Sequence, residues 1–156
     1  MREITLSILL ILIFLVSCTN YSTTHVTKLG AITYTPKRPF QVEVFLSRPT
    51  QPHRQIAAIE VKSYTGRFEV LREEMVEKAA NLGADGVIIE NIGILVLKRL
   101  GRIAPYYLTL PPIKYKVSEL SVPEISKILS SYPQPITYQT QILYLMHGIG
   151  IKFEGR

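Results

Sequence analysis

Apolar residues change period several times along this chain, and each change marks a boundary. Gln41-Val-Glu-Val-Phe-Leu46 alternates polar and apolar positions and is rich in β-formers, which predicts a strand closed by Arg48-Pro49. After the Pro49, Pro52 and His53 loop, Gln55 to Lys62 reads as a second strand with Ile59 and Val61 on one face. Two adjacent strands of this kind imply a hairpin or near-hairpin. From Phe68 to Leu82 the period becomes helical: Leu71, Met75, Ala79 and Leu82 share one side, and Arg72, Glu73, Glu77 and Lys78 hold the other. Gly83 supplies a left-handed cap, and Glu69, Glu73 and Glu74 lie near the positive end of the helix dipole. The β-branched, nearly continuous run from Ala84 to Leu97 then predicts a central buried strand.

Beyond Lys98 the pattern weakens through Pro105, Pro111 and Pro112, and Tyr106-Tyr107 opens a loop or a short edge strand. Ser121-Val-Pro-Glu124 has capping-box spacing and introduces Ile125, Ile128 and Leu129, a short helix stopped by Pro133 and Pro135. Ile136 to Phe153 reads as a long or broken strand, with Ile149, Ile151 and Phe153 alternating against Gly148, Gly150 and Lys152. No repeat recurs at a solenoid period. The expected fold class is therefore α+β: one small curved, mostly antiparallel sheet, with one main helix at about 68–82 and a second short helix at about 122–131 packed on it.

The N-terminus follows another logic. Arg2 precedes a single apolar run, Ile8 to Val16, which at about nine residues has the length of a signal-peptide core and half that of a membrane-spanning helix. It ends in Leu15-Val16-Ser17-Cys18, the chain's one cysteine. These four residues resemble the lipobox of bacterial lipoproteins. The resemblance implies that Leu15, Val16 and Ser17 are recognised by the lipoprotein signal peptidase. It also implies that the Cys18 thiol takes a diacylglyceryl group as a thioether and that the freed amine is acylated. Two or three chains at about 0.8 kcal/mol per buried methylene anchor effectively for good. Thr19 stands where an inner-membrane retention signal would place Asp. The expected location is thus the cell envelope, lipid-anchored in the outer membrane and facing the periplasm. Residues 1–17 read as signal peptide, 18–39 as the lipidated cysteine and a Thr- and Ser-rich flexible tether, and 40–156 as a single α+β domain.

Composition narrows the chemistry. At 156 residues there is room for one modest core. The formal charge of +6 survives removal of residues 1–17, which carry one Arg and one Glu. Such a balance suits anionic lipid or envelope polymer. The cations are scattered without the interleaved aromatics that track a phosphate backbone, so nucleic acid is not an expected partner. With Cys18 acylated no thiol remains for a disulfide or for thiol catalysis. His25, His53 and His147 lack metal-ligand spacing, so no metal and no cofactor is expected. Gly-x-Ser-x-Gly is absent, and Gly148-Ile-Gly150 lacks the rest of a dinucleotide fingerprint, so it reads as a bulge or a packing notch. Asp85 and Glu90 read as turn residues. No catalytic residue is expected.

The run from Leu71 to Ile92, preceded by two strands and followed at the C-terminus by Gly-Ile-Gly-Ile-Lys-Phe, is similar to small families of the YbjQ and RcsF type. The likeness covers roughly 41–97 and the last dozen residues. It implies a helix ending in Leu-Gly-Ala that leads into a strand of one curved sheet, and an envelope setting; it assigns no functional residue. The expected function is that of a non-enzymatic envelope lipoprotein whose domain binds a protein or envelope polymer, in stress sensing or envelope maintenance. A second reading stays open: a small-ligand or hydrolytic periplasmic module with its site in the Pro- and Tyr-rich region 104–135, lined by Tyr106, Tyr107, Tyr115 and Tyr132.

Overall fold

The computed structural model describes residues 22–100, 106–109, 112–131 and 140–155. Leu15 to Cys18 and Tyr132 lie outside the described residues, as do the rest of 1–21 and 132–139. Seven strands form a single sheet, larger than the small one the sequence suggests. They are β1 (Ser22–Lys28), β2 (Glu43–Phe45), β3 (His53–Ser63), β4 (Gly86–Leu100), β5 (Tyr106–Thr109), β6 (Ile113–Lys116) and β7 (Thr140–Phe153). Two helices accompany them, α1 (Phe68–Asn81) and α2 (Val122–Ser130). The class is α+β, and every pairing is antiparallel except that of β2 with β4.

The spatial order is β1-β3-β7-β4, and the far edge of β4 is shared by β2, β6 and β5 in turn. β4 and β7 form the backbone of the sheet, in register from Gly86 opposite Ile151 to Lys98 opposite Thr140. Their β-branched, apolar composition is what a strand covered on both edges and at least one face needs.

Helix α1 covers one face. Phe68, Leu71, Met75, Ala79 and Ala80 point inward, at the spacing that puts residues on one side of a helix. They meet Ala57, Ile59 and Val61 of β3, Val87, Ile89, Ile92 and Ile94 of β4, and Tyr144 and Met146 of β7. Leu71 and Met75 are fully buried, each contributing about 1.5–3 kcal/mol. Gly148 makes room for this helix: a Cβ there would stand 2.5 Å from Met75 Sδ and 2.8 Å from the Ile88 carbonyl, whereas at Gly150 the nearest atom is 3.7 Å away. The first of the two glycines is the packing notch; the register shifts lie instead in β3, between Gln55 and Ala57, and in β4, between Ile89 and Asn91. Gly83 has φ of +74°, and the Gly83 and Ala84 amides donate to Ala80 and Ala79 carbonyls at 2.9 and 3.0 Å, the paired bonds of a Schellman cap. Helix α2 buries Ile125 and Leu129, and Glu124 accepts hydrogen bonds from the Ser121 amide and hydroxyl at 2.7 and 2.6 Å.

Three expectations are corrected. Residues 22–28 are not tether: they form an edge strand in continuous register with β3, Ser22 opposite Ser63 through Lys28 opposite Ala57. Backbone hydrogen bonds hold this strand, with Thr24 Oγ1 donating to Glu74 of α1 at 2.8 Å, so its Thr-rich composition hides it. The chain from Leu29 to Arg38 is pinned as well, since the Lys37 amide donates to the Ala80 carbonyl at 2.8 Å. Second, 41–46 does not form a hairpin with 55–62. The strand contracts to Glu43–Phe45 behind a short 3-10 turn at Pro39–Gln41, and it pairs parallel with β4 on the opposite side of the sheet from β3. Third, Asp85 is no turn residue exposed at a strand end. It is 3% exposed, and its carboxylate accepts from Lys37 Nζ, from Lys152 Nζ at 2.9 Å and from the Phe153 amide at 2.9 Å. It ties the segment after β1 to the start of β4 and the end of β7.

Candidate functional site

With both helices engaged on one side, the other face of the sheet is where chemistry can meet a partner. Its end near the start of β4 carries a small apolar cluster of Ile88, Ile149, Ile151 and Phe153 against Phe45, whose ring meets Phe153 edge-on at 6.1 Å. Next to it the strand register lines up a polar row across five strands. His25 of β1 lies opposite Glu60 of β3, Glu60 opposite His147 of β7, His147 opposite Asn91 of β4, and Asn91 opposite Lys116 of β6. At about 4.8 Å per strand the row spans roughly 19 Å.

Glu90 sits at the register shift in β4, the kind of bulge that re-aims a side chain beside a site. Its carboxylate lies 3.8 Å from Arg48 Nη2 and 3.6 Å from His147 Nδ1. The first distance is that of a loose ion pair, which adds little to stability at a partly exposed position. His147 Nδ1 is shielded from solvent and makes no hydrogen bond. Glu60 is held more closely by Lys62, at 2.8 Å. A cleft of about 450 Å³ opens between Leu46-Ser47-Arg48 and Ile88 to Asn91, with Lys116 and Ser118 as its third wall. A second hollow of about 160 Å³ adjoins it at Asn91, between Glu60, Lys114 and His147.

Four cations (Arg48, Lys62, Lys114, Lys116) therefore surround two carboxylates (Glu60, Glu90) on one face. The surplus suits a ligand carrying acid groups, the cleft is broad and open, and Asn91 and Ser118 add neutral hydrogen-bonding capacity. Among the described residues no group of three or more His, Cys, Asp or Glu is placed to hold a metal ion. None of the described helices is long and apolar enough to cross a membrane.

Sequence reasoning placed none of this face's residues in a site, because they are drawn from five strands. The one local signal is Glu90-Asn91, the polar break in an otherwise apolar run. Of the tyrosines of 104–135, Tyr132 lies outside the described residues, and the register places two others far apart. Tyr107 is opposite Arg99 and Tyr115 opposite Ile92, seven residues or about 23 Å apart along β4, and Tyr115 packs on the helix-side core. Of the histidines, His25 is in β1 rather than a tether, and His53 opens β3 with Nδ1 2.8 Å from the Gln51 carbonyl oxygen.

No family model and no curated protein matches the chain. Among solved structures it is similar to the crystal structure of a Francisella virulence factor, FvfA, in its orthorhombic form, at 12% identity over 83% of this chain and 98% of that one, with a TM-score of 0.42. At that level of superposition no residue role passes from one chain to the other.

Proposed function

We propose that the chain is a lipid-anchored protein of the bacterial cell envelope whose domain binds an acidic partner, an envelope polymer or a protein segment, on the uncovered face of its sheet. The observation that carries the binding half is that face itself: a polar row across five strands bordered by Arg48, Lys62, Lys114 and Lys116 and flanked by an open cleft, while the helix side is closed by a filled core. The anchor half rests on Leu15-Val16-Ser17-Cys18. The likeness of 71–92 to the YbjQ and RcsF families supports the envelope setting, and the curved sheet with one dominant helix belongs to the same reading. The binding role is non-enzymatic.

A photo-crosslinking residue at Leu145, on the uncovered face, is expected to capture a defined partner in living cells, and one at Glu77, on α1, is not. Replacing Lys114 and Lys116 by Glu should abolish the Leu145 adduct. Equal adducts at both positions, or capture indifferent to charge reversal, would sink the binding half. For the anchor, Cys18→Ala should block processing and abolish acyl incorporation; unchanged cleavage and membrane retention would remove it.

A further inference from the structure

The two lateral edges of the sheet are finished differently. Beyond β4 the edge is taken up by β2, β6 and β5 in turn, whereas among the described residues no strand lies outside β1. Edge strands are usually blunted by proline, by a bulge, by charge or by being very short. β1 uses none of these along its length: Ser22 to Lys28 contains no proline, pairs with β3 over seven residues without a register shift, and carries its one lysine at the last position. A single hydrogen bond sets which backbone groups are already used. The Leu29 amide donates to the carbonyl of Ile56, which continues the register opposite it, at 2.9 Å. Antiparallel ladders alternate, so Thr27, His25 and Thr23 also turn their N–H and C=O groups to β3, and Lys28, Val26 and Thr24 turn theirs to the open side. Paired donors and acceptors repeating at about 7 Å are complementary to the backbone of another extended polypeptide, and to no sugar or lipid headgroup.

The same edge adjoins the uncovered face. His25 opens the polar row and stands between Thr24 and Val26, so a strand laid against them sets alternate side chains beside His25, in line with Glu60, His147, Asn91 and Lys116. We propose that β1 accepts an extended segment of a different polypeptide as a further strand of the sheet, a segment rich in β-branched residues with a carboxylate on the side of the uncovered face. The carboxylate rests on the reading of that face given above; the strand addition does not. The partner is thereby narrowed from polymer or protein to protein. With Cys18 acylated, a second copy fits the edge badly, because two-fold pairing would turn its Ser22 to the far end of β1, about 20 Å away, and its lipid with it.

Random peptides displayed on phage and selected on the full chain in phosphatidylcholine vesicles supply the probe. The recovered peptides are expected to alternate β-branched residues with polar ones and to carry Asp or Glu. One backbone hydrogen bond is worth about a fivefold change in affinity. Val26→Pro deletes an outward amide where an edge strand tolerates proline, so it should weaken the recovered peptides about fivefold or more, while Val26→Thr, which keeps the amide, should change them by less than about twofold. Lys28→Pro replaces Val26→Pro should circular dichroism show the latter unfolded. Methylating every second peptide amide should reproduce the loss, and methylating the amides between should not. Peptides held equally by the parent chain and both proline variants, or no peptide enriched at all, overturn the strand addition; sensitivity to Lys114→Glu with Lys116→Glu alone would then leave the uncovered face as the binding surface. Loss with Val26→Pro but not with that charge reversal sustains the added strand and removes the acidic preference. A dimer of the free chain in sedimentation that Val26→Pro dissolves gives the edge to a second copy and overturns the proposal.

Discussion

Replacing Asp85 by Asn removes the charge of the one buried carboxylate among the described residues. The carboxylate is 3% exposed and accepts three hydrogen bonds, from Lys37, Lys152 and the Phe153 amide. An amide retains one acceptor oxygen, and its own N–H groups face the remaining donors. A hydrogen bond to a charged group is worth about 1.5–3 kcal/mol, so losing two of three would cost about 3–6 kcal/mol if the lysines stayed trapped. They are 29% and 25% exposed and can turn to water, which lowers the expected loss to about 2–4 kcal/mol, out of a typical total of about 5–15. Urea unfolding followed by circular dichroism should show the midpoint falling by about 1–2 M at unchanged slope. The pH dependence gives an independent check. Burial on its own would raise the Asp85 pKa, but hydrogen bonds from Lys37, Lys152 and the Phe153 amide and the Lys152 charge outweigh it and hold the pKa below the usual carboxylate value. A depressed folded pKa means that the contribution is complete above the unfolded value of about 3.9 and is lost as pH falls through the folded one. The gap between wild type and Asp85→Asn should therefore be constant above about pH 5 and shrink below about pH 4. A loss under about 0.5 kcal/mol, or a gap that widens on acidification, would refute the reasoning.

Gly148→Ala should cost about 1–3 kcal/mol in thermal unfolding because its methyl group meets Met75 and the Ile88 carbonyl, while Gly150→Ala, whose methyl group would make only ordinary van der Waals contacts at 3.7–3.8 Å, should be neutral or stabilise by up to about 1 kcal/mol. Equal effects would mean that helix α1 does not press on β7 at Gly148. Gly83→Ala should lose about 1–2 kcal/mol from its left-handed backbone and more from the contact with the Thr35 carbonyl, 2.5 Å from the new Cβ, read by calorimetry. Amide exchange followed by mass spectrometry should show protection across 22–28 comparable to that of β3; exchange at the rate of free chain would return this segment to the tether.

Much of the helix-side architecture was legible because it depends on local period. Leu71, Met75 and Ala79 lie on the buried stripe the spacing indicates, Gly83 adopts the backbone only glycine takes readily, and α1 and α2 end within a residue of the expected limits. What stayed hidden is set by partners distant in sequence. β1 has one aliphatic residue in seven, Val26, and is a strand because β3 offers it a ladder. β2 is three residues long, and a strand so short takes its neighbour from the surrounding packing, here Phe45 against Phe153, and not from the next segment along the chain. The donors to Asp85 come from 48 and 67–68 positions away, and the polar row draws one residue from each of five strands.

A strand that begins at Ser22 changes what the proposed anchor would do. A flexible linker of about 20 residues would let the domain tumble at up to about 70 Å from its lipid, leaving every face equally available. Three residues cannot. With Cys18 acylated, the Ser22 end of the strands would stand within about 14 Å of the bilayer, and the polar row, three residues further along β1, would lie no more than about 24 Å from it. A partner in bulk solvent gains nothing from that placement, whereas one confined to the same envelope layer does. A link that short would turn a basic sheet face from a general anion-attracting surface into one held at a limited height above the membrane, within reach of partners confined to the same layer.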